Sequence, residues 1–382
     1  MTKDQTTNFM NHIREHATQY FEDFETTHVE VKLDEKQERP ASILYQFTVG
    51  NEEQNHAILV KVPHYRDLPA GENGDSYSKP RLFPKTEPRD MHKFEYTALR
   101  TIYDYFSNLD EKNLGTIRVL DYLPEYHAIL TEASRDTNLR QLFLQTSRLY
   151  AGSTSRELNP PFRNVGRWLR FYHDMSKEDN VTIRHAHRHE YIEAVFKLTD
   201  FLATALTDAP FFQKISSMLE TSALKFLPEL LPLGLGHGDF AMRNILVGSD
   251  AHITVIDTFA KWRTPIYEDL GYFLNGLKLS GPQVVSQGLV FSSDQLSGYE
   301  RAFLEGYFEQ NHIPYPQIRL YEILALLDKW SSVITYSQQR RAKFKTFGQT
   351  KTALISRYFK ISANRLLNQI TEGESRQKHS DV

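Results

Sequence analysis

The densest chemistry in the chain lies in eight consecutive residues, His237-Gly238-Asp239-Phe240-Ala241-Met242-Arg243-Asn244, with Asp257 following thirteen residues after Asn244 at the end of an apolar run. A histidine, a carboxylate two residues on, a carboxamide five residues beyond it and then a second carboxylate form the spacing of phosphoryl transfer. That reaction is mostly positioning and charge neutralisation, and each residue type meets one need. Asp239 orients an attacking hydroxyl and accepts its proton. Asn244 and Asp257 supply hard oxygen atoms, the donors that suit Mg²⁺ beside nucleotide phosphates.

The elements that must position these groups are legible around them. Ile245–Val247 and His252–Ile256 are apolar and β-branched, and they flank Gly248-Ser249-Asp250. This predicts a β-hairpin whose open end brings Asn244 and Asp257 together. Upstream, Lys61 sits inside the apolar run Ala57–Val62, where a lysine is costly unless paired, and the following helix carries Glu95 near its start. A strand lysine held by a helix glutamate and reaching ATP phosphates is one reading; a lysine snorkelling from an edge strand is the other. Between the first two strands lies Asp34–Ser42, a loop without glycine. Either Ala41 and Ser42 approach phosphate through their backbone, with Arg39 as an added cation, or the stretch is an ordinary charged hairpin loop.

Residues 1–27 carry Phe9, Ile13, Ala17, Phe21 and Phe24 at spacings of three and four, an amphipathic helix. Strand-like text follows at Val29–Leu33, Ile43–Val49 and Ala57–Val62, with a turn at Gly50-Asn51. Residues 64–91, with four prolines and two glycines, read as a long surface loop. A helix with Phe94, Ala98, Ile102 and Phe106 on one face comes next, then short strands at Val119-Leu120 and His127–Thr131. Glu132 and Ala133, in a connector near Thr131–Asp136, are counted with Lys61, Glu95 and Ser42 as nucleotide-binding candidates. From Asn138 onward the text is helical. The expected fold is α+β and bilobal: a sheet-rich lobe over 28–135, a helical lobe over 136–371 holding the catalytic hairpin, and a flexible polar tail over 372–382. ATP is expected in the cleft between the lobes.

With 382 residues, the chain is long enough for two lobes with cores of their own. It has no cysteine, which excludes disulfides, thiolate metal sites and cysteine catalysis, and suits a reducing cytoplasm. No stretch approaches the ~18 apolar residues of a spanning helix, so a soluble, cytoplasmic protein is expected. A net charge of −3 argues against bulk nucleic-acid binding.

These residues taken together resemble the aminoglycoside phosphotransferase and choline kinase-like family. The matching pieces are Val60-Lys61-Val62, Phe94–Leu99, Gly166–His173, the segment His237–Asn244, Val255–Phe259 and Pro265–Gly271, in family order from about residue 42 to 275. The resemblance implies a protein kinase-like fold, ATP and Mg²⁺, and a small-molecule hydroxyl as acceptor. It also implies that Asp269 is a structural carboxylate steadying the catalytic region. Arg243 is similarly placed to a residue in the catalytic loop of protein tyrosine kinases, where it offers a cation to the phosphoryl group or the acceptor; a surface salt bridge is the alternative. Two departures stand out. Asp257 is followed by Thr258-Phe259, where members often carry an aromatic and then an acid, and the glycine-poor phosphate loop leaves GTP open beside ATP.

The function expected is an ATP- and Mg²⁺-dependent small-molecule kinase acting on a hydroxyl of a sugar, amino alcohol or glycan. A protein kinase is one alternative, but only seven residues separate Asp257 from Pro265 and no A-P-E motif follows, which leaves no room for a long activation loop. A nucleotide-binding pseudokinase or scaffold is another, although Asp239, Asn244 and Asp257 are all present. The helical region after Asp269 shows no acidic excess of the kind a polycationic acceptor calls for. From Lys329 to Thr371 there is no Asp or Glu, while Lys329, Arg340, Arg341, Lys343, Lys345, Lys351, Arg357, Lys360 and Arg365 are basic. This stretch is either a solvated face or an electropositive approach suiting an anionic or glycan-linked acceptor, including one at a membrane surface.

Overall fold

A computed structural model describes residues 3–24, 29–39, 42–51, 54–63, 80, 88–148, 157–175, 182–258, 260, 262–341 and 347–380. The chain forms two compact units. The first comprises Met1–Ala70, Lys85–Thr137 and Thr254–Phe259; the second comprises Gly71–Pro84, Asn138–Ile253 and Ala260–Val382.

The first unit opens with helix α1 (Lys3–Tyr20), followed by strands β1 (Glu30–Glu38), β2 (Ser42–Gly50) and β3 (Asn55–Pro63), helix α2 (Pro88–Ser107) and strands β4 (Leu114–Thr116), β5 (Val119–Leu123) and β6 (Ala128–Glu132). Five of the strands form a sheet in the order β1-β2-β3-β6-β5, every neighbouring pair antiparallel. Phe9, Ile13 and Ala17 of α1, with Phe21 and Phe24 beyond its end, are buried against Val31, Tyr45, Phe47 and Val60 of the sheet. The periodic apolar stripe is thus the face that α1 turns to the sheet.

Two expectations need correction here. Asp34–Glu38 is not loop: β1 runs to Glu38, with a register irregularity between Leu33 and Glu35, and Arg39 N donates to Ser42 O at 2.8 Å. Residues 40 and 41 lie outside the described residues. Strand pairing uses backbone groups alone, and exposed charges are what an edge strand carries to discourage further pairing. On α2, Phe94 is 58% exposed and the buried positions are Glu95, Leu99, Ile102 and Phe106. A carboxylate takes the core-facing position because it has a partner there. The expected loop 64–91 lies outside the described residues apart from Pro80 and its last four residues, which already belong to α2.

After the short strand β7 (Thr137–Asn138), the second unit contains α3 (Leu139–Gln145), α4 (Asn159–Asp174), β8 (Thr182–Ile183), α5 (Arg188–Leu206), α6 (Ala209–Phe226), β9 (Leu233–Leu235), a 3₁₀ turn at Met242–Asn244 and β10 (Ile245–Val247). Strand β11 (Ile253–Val255) follows, its last two residues belonging to the first unit. Then come β12 (Trp262–Pro265), α7 (Ile266–Lys278), α8 (Gly281–Val285), α9 (Ser293–Phe308), α10 (Tyr315–Arg341) and α11 (Phe347–Ser380). The tail expected from residue 372 is helical to Ser380, as its Glu, Arg, Gln and Lys content favours. Helices α4 and α9 pack closely because a Cβ on Gly166 would overlap Phe303 O and one on Gly306 would overlap Arg163 O. Strand β12 pairs with β9 antiparallel and with β8 parallel, which fixes the segments on either side of the loop His237–Asn244.

Candidate active site

The loop His237–Asn244 follows β9 and is held from behind by one carboxylate. Asp269, 4% exposed in the first turn of α7, accepts from His237 N at 2.7 Å and Gly238 N at 3.2 Å. Its Oδ2 also meets His173 Nε2 of α4 at 3.3 Å, and His173 Nδ1 meets Tyr307 OH at 2.8 Å. Burial alone would raise the Asp269 pKa, but these donors and the charges of His173 and His237 hold it below the ordinary carboxylate value. Gly238 has φ +79°, a conformation that costs glycine least, and it turns the chain so that Asp239 follows. Phe240 is fully buried against Trp168, His237 and Phe273, which anchors the loop in the core of the unit.

Asp239 is fixed by three side chains. Arg243 Nη2 donates to both carboxylate oxygens at 2.5 and 2.6 Å, Asn244 Nδ2 donates to Oδ2 at 3.0 Å and to the Asp239 carbonyl at 2.9 Å, and Tyr272 OH donates to Oδ1 at 3.4 Å. The 3₁₀ turn, closed by Asn244 N donating to Ala241 O at 2.8 Å, is what brings Arg243 and Asn244 back onto Asp239. Arg243 therefore makes an ion pair, with Asp239 itself as its partner.

The turn after β10 is closed by Gly248 N donating to His252 O at 2.9 Å, with Asp250 and Ala251 both at positive φ. Thr116 Oγ1 and Ile117 N both donate to Val255 O, which ties the end of β11 into the first unit. Two residues later Asp257 adopts φ +59°, a sparsely populated conformation that concentrates at functional sites. Lys61 Nζ donates to Glu95 Oε1 at 2.6 Å and to Asp257 Oδ1 at 2.9 Å. Burial by itself would lower the Lys61 pKa, but the two carboxylates more than offset it and raise it above the ordinary lysine value. Lys61 is thus paired with two carboxylates within the first unit. Ser42 is buried at the start of β2, opposite Pro63. Glu132 N donates to Arg118 O and Ala133 N to Ala57 O, so both amides of the connector are spent within the chain.

Sequence reasoning missed a cavity of about 280 Å³ in the second unit, beside the loop His237–Asn244. Gly238 and Tyr272 form part of its wall, with Tyr191, Trp262 and Tyr321 as further aromatic rings and Arg184, Glu190, Glu268, Asp269 and Asp328 as its charged residues. Four carboxylates, Arg184 and His185 line it; Glu268 accepts from Arg184 Nη2 at 3.5 Å and meets His185 Nδ1 at 2.9 Å, and the Arg184 guanidinium stacks on Trp262 at 4.4 Å. The acids come from α5, α7 and α10, far apart in sequence, so no local excess signals them. Within the basic stretch, Lys329 and Lys360 are both engaged inside the second unit. Lys329 donates to Leu279 O at 2.9 Å and its pKa is pushed down to about 8, first by burial and then by Arg243 and Arg140. Lys360 pairs with Asp208. The side chains of Arg340, Arg341, Lys343, Lys345 and Lys351 lie outside the described residues.

No protein-family model and no curated protein matches the sequence. Among solved structures, the chain is similar to a choline kinase from Cryptosporidium parvum Iowa II, with 11% identity over 97% of this chain and 97% of that one and a TM-score of 0.53. It is also similar to a candidate aminoglycoside phosphotransferase from Ralstonia eutropha JMP134, with 10% identity over 94% of this chain and 98% of that one and a TM-score of 0.53. The chain has the protein kinase-like fold of these proteins, an antiparallel N-terminal sheet followed by a mainly helical remainder, and the resemblance read from the sequence holds at the level of the fold. No helix among the described residues is long and apolar enough to cross a membrane.

Proposed function

We propose that the chain is a small-molecule kinase that transfers the γ-phosphoryl group of ATP to a hydroxyl of an amine-bearing alcohol. The observation that carries this reading is Tyr272, which donates to Asp239 and also lines the cavity of carboxylates and aromatic rings. Through Tyr272, the Asp239 carboxylate is thus one hydrogen bond away from a cavity suited to a small cation, because carboxylates attract an ammonium group and ring faces stabilise it. The choline kinase that shares the fold acts, by its name, on an amino alcohol.

In the proposed reaction the acceptor hydroxyl gives its proton to Asp239 as its oxygen bonds to the γ-phosphorus, and the bond from that phosphorus to the bridging oxygen breaks. Arg243 and Asn244 hold the Asp239 carboxylate in one orientation, which limits the reorganisation needed at the moment of transfer. Lys61, held by Glu95 on a rigid strand, offers its ammonium group to phosphate oxygens. Asn244 spends its Nδ2 on Asp239 and so leaves Oδ1, a hard donor, for a cation; Asp257 offers a half-exposed carboxylate. By donor type, each of these oxygens would suit Mg²⁺, which would supply neutralisation of charge on the phosphates.

The test is a coupled assay of nucleoside diphosphate release with Mg²⁺ and either ATP or GTP. Acceptors are amino alcohols, aminoglycosides, neutral sugars, sugar phosphates and glycan fragments. Turnover stimulated by amine-bearing alcohols and lost in Asp239→Asn is the expected result. Turnover with no acceptor dependence, or turnover that survives Asp239→Asn, overturns the reading.

A further inference from the structure

A second constellation stands apart from Asp239, at the start of α5. The run His185-Ala186-His187-Arg188-His189 is rich in histidine, and after α6 the chain returns to lie beside it. Leu231 N donates to Ala186 O at 2.8 Å and Arg188 N to Glu229 O at 3.0 Å, with His187 and Leu230 forming a bridge. These backbone bonds fix two segments some forty residues apart in sequence at one relative height. The side chains of His187, His189 and Glu229 then converge, each presenting one ligand atom, with all three atoms within 4.8 Å of one another. The two imidazole rings stack with centroids 5.3 Å apart.

We propose that His187, His189 and Glu229 form a binding site for a zinc-class divalent ion. Two imidazole nitrogens and one carboxylate oxygen are a borderline-soft donor set that selects Zn²⁺ over Mg²⁺ or Ca²⁺, which prefer oxygen alone. Three protein ligands leave one tetrahedral position for water or an exchangeable ligand. His189 and Glu229 are exposed, so small rotations bring the donors to the ~3.3 Å mutual spacing that Zn–N and Zn–O bonds near 2 Å impose on a tetrahedron. Partners outside the donor set hold part of this arrangement already. Arg188 Nη2 donates to Glu229 Oε2 at 2.7 Å, which orients the carboxylate and leaves Oε1 for the ion, and Glu190 Oε2 accepts from His187 N at 2.9 Å. The ion staples the N-terminus of α5 to the segment after α6. The same turn supplies Arg184, His185 and Glu190 to the cavity wall, so the staple braces that wall from outside the cavity.

The full-length protein, stripped with a chelator, is titrated with Zn²⁺ against a chromophoric zinc indicator in millimolar Mg²⁺. Thermal melts with and without Zn²⁺ accompany the titration. Wild type is expected to bind one equivalent that Mg²⁺ does not displace, and to melt at a higher temperature with Zn²⁺ present. His189→Ala, an exposed change that spares the backbone bonds, weakens binding by roughly tenfold or more and abolishes the melting shift, as does Glu229→Gln. His312→Ala, at an exposed histidine elsewhere, binds as wild type does. Zinc binding that is absent from wild type, or equal in wild type and His189→Ala, overturns the site. Neither readout depends on phosphoryl transfer, so its failure leaves the kinase reading untouched, and failure of the kinase reading leaves the metal site standing.

Discussion

Asp239 accepts hydrogen bonds from Arg243, Asn244 and Tyr272, and an asparagine at its position keeps much of that geometry while losing the capacity to take a proton. Asp239→Asn is therefore expected to lower kcat by ~10²–10⁴, the usual worth of a positioned base, with nucleotide affinity close to wild type. Acceptor-dependent turnover and a nucleotide-binding titration measure the two quantities, and retention of more than about a third of wild-type kcat would dismiss the assignment. Lys61→Ala has a different signature. It leaves Glu95, 2% exposed, without its ammonium partner, so stability falls by about 1–3 kcal/mol along with activity. In urea unfolding, Glu95→Leu added to Lys61→Ala should recover part of that loss; an unchanged midpoint in Lys61→Ala would mean the pair contributes nothing. Lys61 and Glu95 were legible because a lysine in an apolar strand demands a partner. Phe94 misled for a related reason: counting apolar residues alone assigns the buried stripe of α2 to it, whereas Glu95 occupies that stripe through its ion pair. Tyr272 was not legible at all, since its role depends on α7 lying beside the loop His237–Asn244.

At the scale of elements, the loop His237–Asn244 depends on how α4, α7 and α9 pack. Asp269 ties α7 to the loop and, through His173, to α4. Because its folded pKa lies below its unfolded value, its contribution to stability is fully present above the unfolded pKa of ~3.9 and is lost as pH falls through the folded value. Asp269→Asn should destabilise the protein by about 1–3 kcal/mol near neutral pH, and by progressively less as the pH drops below ~4. Urea unfolding at pH 7 and pH 3 checks this; a penalty that is the same at both would show that the ionised carboxylate is not what holds the loop. Gly166→Ala tests the α4–α9 contact, where the added methyl group meets Phe303 O. Overpacking of this kind costs about 1–3 kcal/mol, and a melting temperature unchanged by the substitution would mean that the helices separate freely. The turn between β10 and β11 was legible from its Gly-Ser-Asp composition and β-branched flanks. The end of β1 was not, because Asp34–Glu38 has loop composition and becomes a strand only through its pairing with β2.

Over the whole molecule, charge is the property that bears on the acceptor. The sequence carries a net −3, and its long acid-free stretch from Lys329 to Thr371 reads either as a solvated face or as an approach for an anionic partner. The folded second unit redistributes that charge. Lys329 is turned inward to Leu279 O and Lys360 is paired with Asp208, while Glu190, Glu268, Asp269 and Asp328 gather around the cavity beside the loop His237–Asn244. Both acceptor classes should show a KM that rises with ionic strength, since salt screens attraction of either sign, so salt dependence alone does not separate them. Charge-changing variants do. For an amine-bearing acceptor, Asp328→Asn should raise the acceptor KM by roughly fivefold, the equivalent of about 1 kcal/mol for a partly exposed charge pair, with the KM for nucleotide unchanged. Arg340→Glu combined with Arg341→Glu should leave the amine acceptor KM as it was or lower it, because a more negative protein favours a cation. The opposite pattern, an Asp328→Asn enzyme with wild-type KM and a charge-reversed enzyme with a raised one, would return the acceptor to the anionic class and make the basic stretch its route in.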